Sequence, residues 1–152
     1  MRISAKVDYA VRALCELAAH PGETPLKAEE IARAQEIPLS FLENILVDLR
    51  RAGFVRSQRG QVGGYRMATA ASAITVADVI RAVEGPLADV RGVRPESLAF
   101  HGSAAALRDV WLATRVGLRH VLERVTIADI VGDEIPSEVR ALLDDPDALI
   151  PH

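Results

Sequence analysis

Arg59-Gly60-Gln61-Val62-Gly63-Gly64-Tyr65 is the stretch that decides the fold. Gly60, Gly63 and Gly64 allow the positive φ angles of a tight hairpin turn. Phe54-Val55-Arg56-Ser57-Gln58 reads as the strand that enters this turn, and Tyr65-Arg66-Met67 as the strand that leaves it. Just upstream, Ser40 to Arg51 reads as an amphipathic helix that stops at Gly53. Such a helix followed by a basic, glycine-rich hairpin has the layout of a winged helix-turn-helix. In that layout the helix enters the major groove of DNA, and an arginine on the wing can reach the minor groove.

The helix over 40–51 has an inward stripe of Leu42, Ile45, Leu46 and Leu49. Ser40, Phe41, Glu43, Asn44 and Val47 fall on its other side. Ser40 is expected to be the N-cap, with Glu43 completing a capping box. Glu43 can instead accept a hydrogen bond from a cytosine amino group; a capping role and a reading role compete for one carboxylate. Asn44 suits adenine, and Ser40 suits a base or a phosphate. Arg59, at the hairpin tip between its glycines, suits a narrow minor groove, the alternative being a solvated turn residue. Arg50, Arg51, Arg56 and Arg66 are candidates for phosphate contacts, with at least one of them expected in an ordinary intramolecular pair.

The remainder of the chain reads as mainly α. Helices are expected over 3–19 and 28–35, the first ended by His20-Pro21-Gly22. Thr75 opens another, with Asp78 at its third position and a stripe of Val76, Val79, Ile80 and Val83. Residues 86–103 show no period and read as a long loop, a length usually reserved for function or mobility. A long helix follows over 103–124. Leu107, Trp111, Thr114, Leu118, Val121 and Val125 form its a/d seam. Thr126 to Asp129 reads as the cap of a short turn, 137–143 as a last small helix, and 144–147 as a frayed acidic end. The expected organisation is a winged helix-turn-helix domain over 1–67, a connecting helix over 68–85, a loop over 86–103, a dimerisation helix over 104–131 and an acidic tail over 132–152. Because 67 residues already close a small domain, the seam needs a partner, and a second copy is the simplest.

Composition agrees with a globular chain: 152 residues, 49% apolar and 26% charged. There is no apolar run of 18 residues, and Asp8, Arg12 and Glu16 interrupt any signal-peptide stretch, so the cytosol is the expected location. The net charge of −3 is unevenly spread. Residues 1–67 carry ten Lys/Arg against eight Asp/Glu, and 68–152 carry eight against thirteen. No acidic residue lies between Asp48 and Asp78, where five arginines do, and a local basic stripe is what phosphate contacts need. Cys15 is the only cysteine and is read as an inert buried thiol. His20, His101, His120 and His152 lack metal-ligand spacing, and Asp8 and Arg12 are spaced to pair along a helix. No nucleophile–base pair appears. The glycine-rich turn precedes a strand, whereas phosphate-binding loops open helices, so an enzyme is not expected.

Three segments together resemble the Rrf-type family of bacterial winged-helix transcription regulators, the IscR/NsrR/CymR-like group. They are Met1 to Ser4 with Asp8 to Leu14, Ile37 to Leu46 with Leu49 to Val55, and Ser57 to Tyr65, which ends in the R-G-x-x-G-G-Y wing. The resemblance covers residues 1–85, with weaker agreement beyond. It implies a homodimer crossed through the long helix that represses or activates transcription from double-stranded, palindromic operator DNA. It implies that Ser40, Phe41, Glu43 and Asn44 face the major groove and that Arg59 enters the minor groove; Arg50, Arg51, Arg56, Ser57, Gly60, Gly63, Gly64 and Tyr65 are the further candidates for the DNA-contact surface. Sensing members of the family hold an iron–sulfur cluster on three cysteines in the loop before the long helix. Here residues 86–102 contain none, so no cluster or other cofactor is expected. Two other readings stay open at this point. One is a protein-interaction module whose winged domain does not read DNA. The other is a metal or redox sensor using Cys15, Asp8 or His101.

Overall fold

The computed structural model describes residues 3–22, 24–148 and 150. Met1 and Arg2 of the opening motif, and His152, lie outside the described residues. Helix α1 spans Ala5–Ala19 and starts at Ser4, whose hydroxyl accepts from the Val7 N–H at 3.2 Å. It buries Val7, Ala10, Ala13, Leu14 and Leu17 on one face. Helix α2 spans Ala28–Ala34 and α3 spans Leu39–Arg51. All four inward residues expected on α3, namely Leu42, Ile45, Leu46 and Leu49, are at most 1% exposed. Each side chain buried this way contributes on the order of 2 kcal/mol.

The start of α3 differs from the expectation. Pro38, at φ −58°, is the N-cap, and no side chain caps the helix. The fixed proline φ already sets the first turn, and the Pro38 carbonyl accepts from Phe41 N at 3.0 Å and Leu42 N at 3.1 Å. Ser40 therefore lies inside the first turn, and the Ser40–Glu43 capping box does not form.

Strands β1 (Val55–Gln58) and β2 (Gly64–Met67) pair antiparallel, with Arg56 opposite Arg66 and Ser57 opposite Tyr65. A further partner joins β2. Tyr65 N donates to Leu26 O at 2.7 Å, and Leu26 N donates to Tyr65 O at 2.9 Å. The hairpin is thus anchored to the segment linking α1 and α2. Helix α4 (Val76–Val83) carries the expected Thr75–Asp78 capping box. Its buried residues are Ala77, Val79 and Val83, while Val76 is held at the edge by a 2.9 Å bond from its N–H to Val125 O.

Residues 86–103 are not wholly irregular, since Val90 bridges Val93 and Pro95–Ser97 forms a 3₁₀ turn. After another 3₁₀ turn at Gly102–Ala104, helix α5 runs over Leu107–Leu122, shorter than expected at both ends. Helix α6 (Ile127–Gly132) has the expected Thr126–Asp129 cap, now seen as a full capping box. Helix α7 (Ser137–Arg140) continues into a 3₁₀ turn, Ala141–Asp144.

Helix α1 is the hub, packing against α2, α3, α4, α6 and β2. One apolar cluster includes Leu14, Leu46 and Val55 and continues through Ile74, Val79, Val83 and Ile127. The core therefore extends past residue 67. The reason is that α4 and α6 are tied together at Thr75–Thr126 and close the face of α1 that α2 and α3 leave open. By contrast, α5 buries none of its own residues.

Candidate nucleic-acid interface

The pitch of α3 sets what the site can do. With Leu42, Ile45, Leu46 and Leu49 locked into the core, Ser40, Phe41, Glu43, Asn44, Val47 and Arg50 are left exposed. Phe41 is 60% exposed, a large apolar ring presented to solvent. Glu43 has no side-chain hydrogen bond or ion pair among the described residues, so the competition between capping and reading does not arise. The Asn44 amide donates to Ser40 O at 3.0 Å, which uses one of its two N–H groups and steadies the side chain. The one other carboxylate of the helix is neutralised locally. Asp48 meets Lys6 Nζ at 2.8 Å and Arg51 at 3.4 Å. Arg51 is thus the arginine engaged in an ordinary intramolecular pair.

Arg50 donates to Ser57 Oγ at 3.3 Å and so joins the end of α3 to β1. Strand alternation places Arg56, Gln58 and Arg66 on the opposite face of the hairpin from Ser57 and Tyr65. Two arginines directly opposite each other repel, and Arg66 is steadied by Gln58 Oε1 at 2.5 Å. Their face borders the end of α1 at His20, Pro21 and Gly22. The structure therefore splits the basic stripe, with Arg50 beside α3 and Arg56 with Arg66 behind the wing.

Arg59 is exposed at the wing tip with no ion-pair partner among the described residues. Next to it Gly60 adopts φ +110°, which disfavours any side chain. Gly63 and Gly64 have structural reasons of their own. A Cβ on Gly63 would lie 2.5 Å from Gln58 O, and one on Gly64 would collide with the Leu26 carbonyl. Tyr65 is half-buried and packs on the core. Sequence reading missed Leu26 as the wing anchor and Val62, 70% exposed at the wing tip. A single bridging residue has no periodicity to detect.

On α5, Leu107, Trp111, Leu118 and Val121 of the expected seam are half-buried and Thr114 is exposed. Val125 is a correction. It lies beyond the helix and is 7% exposed within the protomer, because its carbonyl bonds to Val76. Leu118 and Val121 also line an apolar cavity of about 430 Å³ shared with Ile3, Val7 and Ile80.

No grouping of three or more His, Cys, Asp or Glu able to hold a metal occurs among the described residues. Burial pushes the Cys15 thiol up to about 11, with the Glu16 charge adding to the effect, so it is a poor thiolate at neutral pH. Asp8 pairs with Arg12 at 3.1 Å, and that guanidinium sits over the Tyr9 ring. Asp8, Cys15 and the exposed His101 offer one thiol among them.

No helix among the described residues is long and apolar enough to cross a membrane. Residues 3–133 match the family model Rrf2, described as an iron-dependent transcriptional regulator. The chain is 46% identical over 145 residues to a Mycobacterium tuberculosis (strain H37Rv) protein provisionally named an HTH-type transcriptional regulator, covering 95% of this chain and 90% of the relative. It is 35% identical over 132 residues to the HTH-type transcriptional regulator CymR of Bacillus subtilis, covering 87% and 91%. The structure of CymR, the global cysteine regulator of B. subtilis, superposes with a TM-score of 0.74 over 87% of this chain and 97% of that one, at 32% identity. T. potens IscR superposes at 0.71 with 35% identity, over 88% of each chain. The chain belongs to the Rrf2 family of winged-helix transcriptional regulators.

Proposed function

We propose that this chain acts as a cytoplasmic homodimer that binds a palindromic operator and does so without an iron–sulfur cluster. The observation that carries the reading is the outward face of α3. Ser40, Phe41, Glu43 and Asn44 are all exposed, and none is needed by the core. Glu43 and Asn44 read base edges, Ser40 and Arg50 hold the backbone, and Arg59 enters the minor groove beside the helix. Arg56 and Arg66, whose mutual repulsion a phosphate would relieve, extend the contact behind the wing.

The dimer is supported by α5. A 16-residue helix with no buried residue, carrying Leu107, Trp111, Leu118 and Val121 half-covered, is stabilised by a second copy of itself. Two protomers then present two reading heads to half-sites about one helical turn apart. The absence of a cluster is supported by the donor set, since the loop over 86–102 has no thiol and Cys15 belongs to α1.

The test is genome-fragment binding by the purified protein at fixed salt, with Arg59→Ala and Glu43→Ala in parallel. The expected result is a palindromic site, lost in Arg59→Ala and altered in sequence in Glu43→Ala. Weak, sequence-blind binding that is equal in all three proteins overturns the proposal.

A further inference from the structure

Four guanidinium groups from three parts of the chain line one basin of about 570 Å³ beside the 86–103 loop. Arg81 comes from α4, Arg94 immediately precedes the 3₁₀ turn at Pro95, and Arg115 and Arg119 lie on α5. The volume is that of a small-metabolite site. Three of the arginines are held by carboxylates. Arg115 meets Glu96 at 2.5 Å, and Arg81 and Arg119 share Glu123. Arg94 has no ion-pair partner among the described residues. The remaining acid of the lining, Asp89, accepts from Gly92 N at 2.8 Å and so serves its own turn. The lining itself thus holds four arginines and two carboxylates, Glu96 and Asp89, while Glu123 and Asp78 reach Arg81 from outside it. The backbone here is also strained, since Ala88 at φ +50° and Arg91 at φ +56° are non-glycine residues in the left-handed region. Strain of this kind concentrates at ligand sites.

We infer that this basin binds a small oxyanionic effector, a carboxylate or a phosphate ester of metabolite size carrying one or two negative charges. The planar guanidinium fork matches either oxyanion bidentately. Arg94 is the free first contact, and the ligand competes with Glu96 for Arg115. Glu96 sits on the 3₁₀ turn through which the loop packs on α5, so its release unseats the loop from that helix. The inference rests on the regulator reading for its biological meaning, but its test does not.

DNA-free full-length protein is titrated with sodium succinate and with inorganic phosphate, against sodium chloride at equal ionic strength, while the thermal unfolding midpoint is followed. A saturable rise with one or both oxyanions, absent with chloride, is expected. Arg94→Ala should raise the half-saturating concentration about tenfold. Arg94 is exposed and makes no ion pair among the described residues, so its removal leaves the fold intact. The response to succinate or to phosphate tells which oxyanion chemistry fits. Identical curves for oxyanions and chloride, or a response lost in Arg59→Ala and retained in Arg94→Ala, overturns the inference. Because no DNA is present, a chain that failed to find an operator could still pass, and the reverse.

Discussion

Gly64 shows how one missing side chain can hold a reading head in place. Its Cα lies against the Leu26 carbonyl, and a methyl group there has nowhere to go. Gly64→Ala should cost about 2 kcal/mol of stability, as forced overpacking does, and should weaken operator binding more than the loss of stability explains. Urea unfolding and a DNA titration on the same variant separate the two effects. Asp129 makes a second residue-scale prediction. Bonds from the Thr126 backbone and hydroxyl hold its carboxyl below the usual value of 3.8. Its contribution to stability is therefore present above that value and is lost as the pH falls through the lower folded one. Thermal midpoints of wild type and Asp129→Asn should differ at pH 7 and converge in acid. Cys15, half-buried on α1 with its thiol pushed up to about 11, should react slowly with iodoacetamide at pH 7.5 and faster once the protein is unfolded.

Among the elements, α3 and the hairpin were the most legible in sequence, because apolar spacing and glycine chemistry are local signals. The inward stripe of α3 and both wing strands follow directly from Leu42, Ile45, Leu46 and Leu49 and from Gly60 to Gly64. What the sequence did not show was competition between neighbours. Pro38 and Ser40 were both able to start the helix, and the proline did so. Lys6 was equally hidden, since its partners are 42 and 77 residues away. Its Nζ meets Asp48 on α3 at 2.8 Å and Val83 O at the end of α4 at the same distance. Lys6→Met should therefore loosen α3 against α4 while leaving the wing fixed. Amide hydrogen exchange should speed up at the end of α4 and in the last turn of α3 but not in β2.

The whole molecule divides unevenly between what one protomer completes and what it leaves open. Thr114 is exposed on α5, and its hydroxyl donates to Val110 O of the same helix at 2.9 Å. If the proposed dimer forms through α5, Thr114→Glu should leave the protomer folded but monomeric by sedimentation, with operator affinity falling at least a hundredfold. The candidate site was legible on α3 because outward residues are what remains once the core is assigned. The arginine basin was not, because Arg81 and Arg94 share no spacing with the Arg115–Arg119 pair of α5 and meet it only through folding. One shared core also has a consequence for how a signal is expressed. Since α1 packs on β2, α3, α4 and α6 alike, these elements share one core, to which α5 adds no buried residue. In the homodimer proposed above, a signal then acts by turning one protomer against the other about α5, changing the rotational phase between the two heads. Each base pair inserted at the centre of an operator adds about 34° of helical phase. A shifted operator should therefore reverse the sign of the effector's influence, so that one ligand releases the protein from one promoter and recruits it to another.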